Sequence, residues 1–184
     1  MSDKKKEVFL HVCCAPCLLG PLSDLRAKEI NVTGFFFNPN IHPLMEFLKR
    51  RNTLREASRI LDFHVCEESS HDYLDFLRNT VSDVEQRCSY CYSVRIRYTA
   101  LTAKNKGFSS FSTTLLYSKY QKHDLIKSIA ERISDELEIS FHYEDWREYW
   151  KWGIEESKRM DLYRQNYCGC IYSEFERFKN KLAK

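Results

Sequence analysis

Short apolar runs alternate along this chain with longer stretches of helical periodicity. Val8-Phe9-Leu10-His11-Val12 is an apolar run of strand length with no polar alternation, which predicts a strand buried on both faces. Leu18, Leu22 and Leu25 follow at helical spacing, with Pro21 expected in a first turn, where a missing N–H costs little. Asn31 to Phe37 reads as a second strand. It stops at Asn38-Pro39-Asn40-Ile41-His42-Pro43, whose prolines withhold backbone donors. Leu44, Phe47, Leu48, Leu54, Ala57 and Leu61 form a helical stripe, with Lys49, Arg50, Arg51, Arg55 and Arg59 expected on its solvated side. Phe63 to Cys66 is a brief third strand, and Tyr73, Leu74 and Leu77 mark a short helix. Cys88, Cys91, Arg95, Tyr98 and Thr102 then share one helical face.

Phe108 to Leu116 is β-prone, Ile126, Ile129, Ala130 and Ile133 are helical, and Ile139 to Tyr143 makes a fifth strand. From Asp145 the pattern is helical, broken near Gly153 and at Tyr167-Cys168-Gly169-Cys170. Strands alternating with helices predict an α/β fold: a parallel sheet flanked by helices, with a helical C-terminal segment. No repeat or linker divides the 184 residues, so a single domain is expected. Ligands of such sheets collect beyond the carboxyl ends of the strands at a switch point. The turn His11-Val12-Cys13-Cys14-Ala15-Pro16-Cys17 leaves strand one at that edge.

Composition sharpens the picture at one place, the cysteines. A hydrophobic share of 43% with 30% charged residues fits a soluble globular domain. The charged start, Met1 to Glu7, precedes too short an apolar run for a secretory segment or membrane span, so a cytoplasmic location without membrane attachment is expected. In a reducing compartment, eight cysteines point to metal or catalysis rather than disulfides. Seven fall into three groups, Cys13/Cys14/Cys17, Cys88/Cys91 and Cys168/Cys170, and Cys66 alone reads as a small buried residue. Cys14 to Cys17 and Cys88 to Cys91 have spacings that let both sulfurs face one centre, and Gly169 permits a tight turn between Cys168 and Cys170. Zinc normally takes four ligands, so seven thiolates favour a [4Fe–4S] cluster plus a second metal ion or redox-active thiols. The histidines complete no metal set; His11 and His123 are the best exceptions, each adjoining a motif.

The net charge of +3 says little about a nucleic-acid partner, although Arg147, Lys151, Lys158, Arg159 and Arg164 cluster near the end. Solvated helix faces balanced by nearby acids account for such clusters about as well.

Together these segments resemble the cobalamin-independent epoxyqueuosine reductases, the QueH family. The resemblance rests on His11 to Cys17, on Asn38 to Pro43 with Glu46, and on Arg87-Cys88-Ser89-Tyr90-Cys91-Tyr92. It continues through Phe111 to Leu116 with Ser118, Glu144-Asp145-Trp146-Arg147, and Tyr163 to Ser173; Trp146 stands where phenylalanine is expected. The resemblance implies a Rossmann-like sheet of the HUP type. It also implies reduction of epoxyqueuosine to queuosine at the wobble position of tRNA, the last step of queuosine biosynthesis. The metal it implies is a [4Fe–4S] cluster beside a mononuclear iron held by cysteine and aspartate, with no cobalamin; the partners are tRNA carrying epoxyqueuosine in its anticodon and an unidentified electron donor.

On this reading the seven cysteines hold the two centres in an undecided division, and Asp145, with Glu46 second, is the candidate carboxylate ligand; an N-cap role suits Asp145 equally. Tyr117, Lys119 and His123 cluster after strand four as candidate proton donors, with RNA-phosphate contact the competing role. Tyr90, Tyr92 and Tyr167 are candidates to stack on an extruded base. Two other functions fit less well. One is a zinc-stabilised RNA-binding module without catalysis. The other is an ATP-dependent tRNA sulfur-transfer enzyme, which would need a Ser-Gly-Gly loop where this chain has Cys13 to Cys17.

Overall fold

A computed structural model describes residues 6–68 and 71–183; the charged start, Met1 to Lys5, lies outside the described residues. Five parallel strands, β1 (Glu7–His11), β2 (Asn31–Phe36), β3 (Val65–Glu67), β4 (Ser110–Thr113) and β5 (Ser140–Phe141), lie in the order β3-β2-β1-β4-β5. This is a Rossmann-like winding, and its switch point falls between β1 and β4, where His11 pairs with Thr113. The central strand β1 is buried as its unbroken apolar run requires: Val8, Phe9 and Leu10 are at most 1% exposed. Each such side chain contributes about 1.5–3 kcal/mol through burial.

The helices are α1 (Ala15–Ala27), α2 (Leu44–Ile60), α3 (Tyr73–Thr80), α4 (Arg87–Asn105), α5 (His123–Leu137), α6 (Trp150–Arg159) and α7 (Ile171–Phe178). Helix α1 packs on α2 and α6, and α4 packs on α3 and α5. Among the described residues no helix is long and apolar enough to cross a membrane.

Local expectations needed correction at three points. Helix α1 begins at Ala15, so Pro16 occupies the first turn and Pro21 lies in the interior. Pro21 cannot donate to the Cys17 carbonyl, a cost that this buried stretch of helix carries. Gly153 does not interrupt the C-terminal helix but sits inside α6. Its reason is packing: a Cβ there would lie 2.2 Å from the Tyr117 hydroxyl oxygen. Cys66 lies in β3 only partly buried, because β3 is the sheet's edge.

Trp146 has a clear role. It is fully buried, and its indole N–H donates to Asp24 of α1 at 2.9 Å, with the Tyr149 hydroxyl donating to the same carboxylate at 3.1 Å. These bonds tie the segment after β5 to the helix that carries Cys17, a contact phenylalanine could not make.

Candidate thiol and metal site

The first thiol group is built by the turn from β1 into α1. Val12 N–H donates to the Phe35 carbonyl and Asn38 Nδ2 donates to the Val12 carbonyl, so the chain leaves β1 in one fixed direction. Cys14 caps α1 in extended conformation and Cys17 follows in the first turn. The sulfurs of Cys13, Cys14 and Cys17 all lie within 4.8 Å of one another, and all three residues are buried. Thr114, just past β4, accepts from Cys13 N–H at 3.1 Å and donates its hydroxyl to Cys13 Sγ at 3.4 Å. The Cys14 and Cys17 thiols and the Thr114 hydroxyl hold the Cys13 thiol well below its ordinary value. Burial pushes Cys14 up, and donation toward Cys13 and Cys14 pushes Cys17 up. Of the three, Cys13 is thus the thiol most readily ionised.

His11, immediately before this turn, is a fully buried neutral imidazole. Nε2–H donates to the Phe37 carbonyl at 3.1 Å, which leaves Nδ1 to accept from the Thr113 hydroxyl at 2.9 Å. Burial, reinforced by Arg95, lowers it to about 4. It fixes the ends of β1 and β4 rather than offering a ligand atom.

The second group comes from two distant segments. Cys88 and Cys91 lie one turn apart at the start of α4, and Cys168 and Cys170 lie in the turn that leads into α7, with Cys170 as its cap. The four sense one another electrostatically: Cys91, pushed up to about 12 chiefly by burial, is raised further by Cys168, Cys170 and Cys88. Cys168 is exposed as a residue, yet its sulfur is crowded enough for desolvation to raise it.

Arg50 holds this turn in place. It is 2% exposed, donates Nε to Glu46 at 2.7 Å, and sends Nη1 and Nη2 to the carbonyls of Cys168 and Tyr167 at 2.7 and 3.0 Å. Glu46 accepts in turn from the Tyr163 hydroxyl at 2.6 Å, and His42 N–H donates to the Gly169 carbonyl at 2.7 Å. Gly169 has φ +148°, a conformation costly for other residues, and a Cβ there would meet Arg50 and Ile41 at 3.2 Å. The expected solvated basic face of α2 is therefore wrong at Arg50: its charge is turned inward to a carboxylate and two carbonyls.

Arg95, also 2% exposed, donates Nε to Asn40 Oδ1 at 2.8 Å and has no carboxylate partner among the described residues. A buried cation in that position calls for anions nearby. Its charge lowers the Cys91 and Cys168 thiols, while Arg50 lowers Cys14 and Cys168. Two guanidinium groups thus stand ready to offset thiolates of both groups.

One cavity of about 510 Å³ lies between the groups, lined by Cys13, Cys17 and Cys168 together with Arg50, Arg95 and Tyr117. Two carboxamides reach thiols beside it. Gln165 Nε2 lies 2.9 Å from Cys14 Sγ, and Gln121 Nε2 lies 3.1 Å from Cys168 Sγ. Gln165 belongs to the Tyr163–Ser173 segment, whereas Gln121 carries no sequence signal beyond adjacency to a motif. Three buried thiols with mutually close sulfurs form a donor set that could hold a metal centre, and the four other thiols lie with cations beside them.

The other sequence candidates are distributed as follows. Tyr117 lines the cavity, its ring clasped where a Cβ on Gly20 or on Gly153 would collide with it. Lys119 is exposed in the following loop and is not among the lining residues. His123 heads α5 and pairs with the Tyr143 hydroxyl at 3.1 Å. Asp145 caps the short 3₁₀ turn Trp146–Tyr149, accepting from Arg147 N–H at 3.1 Å and from its guanidinium at 2.8 Å, so its carboxylate is engaged away from the cavity lining. Tyr92 is 2% exposed and unavailable for stacking, because its ring is packed into the core under α4. Tyr90 is half-buried and donates to Asp75, whereas Tyr167 lines the cavity.

A family model described as epoxyqueuosine reductase QueH matches residues 8–176. A curated protein of that name from Dehalococcoides mccartyi is 36% identical over 172 residues, covering 94% of each chain. Another from Thermotoga maritima is 35% identical, covering 92% of this chain and 91% of its own, and one from Acinetobacter baylyi is 32% identical, covering 94% and 83%. The match spans the first cysteine turn, α4 and the Cys168–Cys170 turn alike, and the chain belongs to the epoxyqueuosine reductase QueH family.

Proposed function

We propose that this protein reduces epoxyqueuosine in tRNA to queuosine in the cytoplasm, as a single-domain metalloenzyme. The observation that carries the reading is a cavity lined by Cys13 and Cys17 of the first thiol group and by Cys168 of the second. In the reaction two epoxide C–O bonds break, a C=C bond forms, and oxygen leaves as water after uptake of two electrons and two protons from an external donor and solvent. Cys88, Cys91, Cys168 and Cys170 match in number the four thiolates of a [4Fe–4S] cluster, and Cys13, Cys14 and Cys17 suit a second iron. When bound, such iron supplies single electrons and a Lewis acid for the epoxide oxygen.

The chain's own residues supply the surroundings. Arg50 and Arg95 balance thiolate charge. Tyr117 is the one of the three candidates that lines the cavity: burial keeps it a protonated phenol, and its hydroxyl rests against α6 on the Trp150 carbonyl at 3.3 Å. At the mouth, Tyr120 is 83% exposed and stands edge-on to Trp150, with ring centroids 5.4 Å apart. Arg164 and Arg177 flank it and make no ion pair among the described residues, whereas Arg147, Lys158 and Arg159 are spent on adjacent acids. Free cations around exposed aromatics suit a single-stranded RNA loop.

The direct test is incubation of reduced, iron-loaded protein with tRNA carrying epoxyqueuosine, followed by digestion and mass analysis of the nucleosides. Queuosine is the expected product. A colourless protein that holds zinc and forms none would return it to the RNA-binding modules, and activity that depends on ATP would point to sulfur transfer. Tyr120→Ala is expected to weaken binding of the anticodon stem-loop about 10-fold, from the usual worth of one stacked base, while Tyr120→Phe stays near wild type. Fluorescence anisotropy with labelled RNA separates the two, and equal affinities would exclude stacking on Tyr120.

A further inference from the structure

Gln121 makes two hydrogen bonds that leave its carboxamide no choice of orientation. Lys122 N–H donates to the Tyr92 hydroxyl oxygen at 3.3 Å, so the Tyr92 proton is free for Gln121 Oε1, 2.7 Å away. A phenol oxygen that already accepts from a backbone amide donates to a carbonyl oxygen, not to an amide nitrogen. With Oε1 occupied, Gln121 Nε2 is the atom that faces Cys168 Sγ at 3.1 Å. Tyr92 is itself rigid, 2% exposed in α4 one residue after Cys91. The element that supplies Cys88 and Cys91 therefore also aims an N–H at the sulfur of Cys168, which comes from the far end of the chain.

We propose that Gln121 is a positioning residue that sets the reduction potential of the centre held by Cys88, Cys91, Cys168 and Cys170, with Tyr92 as the group that aims it. The inference rests on the iron reading given above. An N–H pointed at a ligating sulfur draws electron density from it and stabilises the more negative, reduced state, which raises the potential. The effect grows where water is scarce. Methionine in place of Gln121 keeps the length and bulk of the side chain and removes the donor. Phenylalanine in place of Tyr92 keeps the carboxamide but frees it to rotate.

The test is a redox titration of anaerobically reconstituted protein, followed by electron paramagnetic resonance and visible absorption, with iron counted per chain. For Gln121→Met the expected result is wild-type iron content and a more negative midpoint potential. Tyr92→Phe shifts the midpoint in the same direction by less. An unchanged midpoint in Gln121→Met at wild-type iron content overturns the proposal. If Gln121→Met retains no iron, Tyr92→Phe decides: a lowered midpoint supports the assignment, while an unchanged midpoint or loss of iron there overturns it and leaves both residues as supports of the fold. Wild-type protein that takes up no iron brings down the iron reading first, and this inference with it, before any variant is measured.

Discussion

Replacing Arg50 by methionine is expected to destabilise the protein by about 3–5 kcal/mol, the usual cost of stranding one member of a buried ion pair. The substitution leaves the Glu46 carboxylate, 7% exposed, with only the Tyr163 hydroxyl, and it strips the Cys168 and Tyr167 carbonyls of their donors. A fall in Tm of roughly 10 °C follows for a domain of this size. Arg50→Lys restores the charge but not the fork that spans two carbonyls and a carboxylate, so it should recover only part of the loss. Thermal unfolding by circular dichroism reads both variants. A change under 1 kcal/mol in Arg50→Met would mean that the inward guanidinium does not hold the turn.

The second large effect is on metal and turnover. Cys14→Ala, Cys88→Ala and Cys170→Ala are each expected to abolish conversion of epoxyqueuosine, yet to leave the fold standing, since loss of one small buried group costs only about 1 kcal/mol. The iron count distinguishes them. Cys88→Ala and Cys170→Ala should lose the iron of the four-thiol group and keep that of the trio, whereas Cys14→Ala should do the reverse. Iron analysis with electron paramagnetic resonance on the three variants checks the division, and an equal loss in all of them would mean that the seven thiols serve one centre. A fully active variant removes that cysteine from the site.

The strands were legible because burial on both faces leaves an uninterrupted apolar run, as in Val8 to Leu10, and hence so was the edge to which the first cysteines belong. Cysteine spacing was legible for the same reason that it works: sulfurs one turn apart face one way, as Cys88 and Cys91 do. Arg95 could be expected beside them, being one further turn along. Arg50 could not, because a basic residue on a helix reads as solvated until the chain that covers it, here 118 residues later, is in place. Pro21 and Gly153 were misread as markers of boundaries: Pro21 lies buried inside α1, and Gly153 sits inside α6 because the Tyr117 hydroxyl leaves no room for a Cβ. Asp145 drew attention by its position after a strand, and the N-cap role offered for it there is the one its contacts fill, with Arg147 beside its carboxylate. The bonds of Gln121 and Gln165 to thiols have no counterpart in periodicity or spacing at all.

The two thiol groups differ in how far apart their members lie along the chain. Cys13, Cys14 and Cys17 belong to one strand-to-helix turn, whereas Cys88 and Cys170 are separated by most of the sheet's second half. On a ribosome the trio can begin to gather as soon as β1, β2 and α1 have been made, with the Thr114 contacts to Cys13 added once β4 follows. The four-thiol group cannot, because half of it is still untranslated when α5 folds, and Arg50 and His42 have no carbonyls to grip until Tyr167 to Gly169 arrive. Metal that needs all four thiolates is therefore seated last, and a chain carrying it has already docked its final turn.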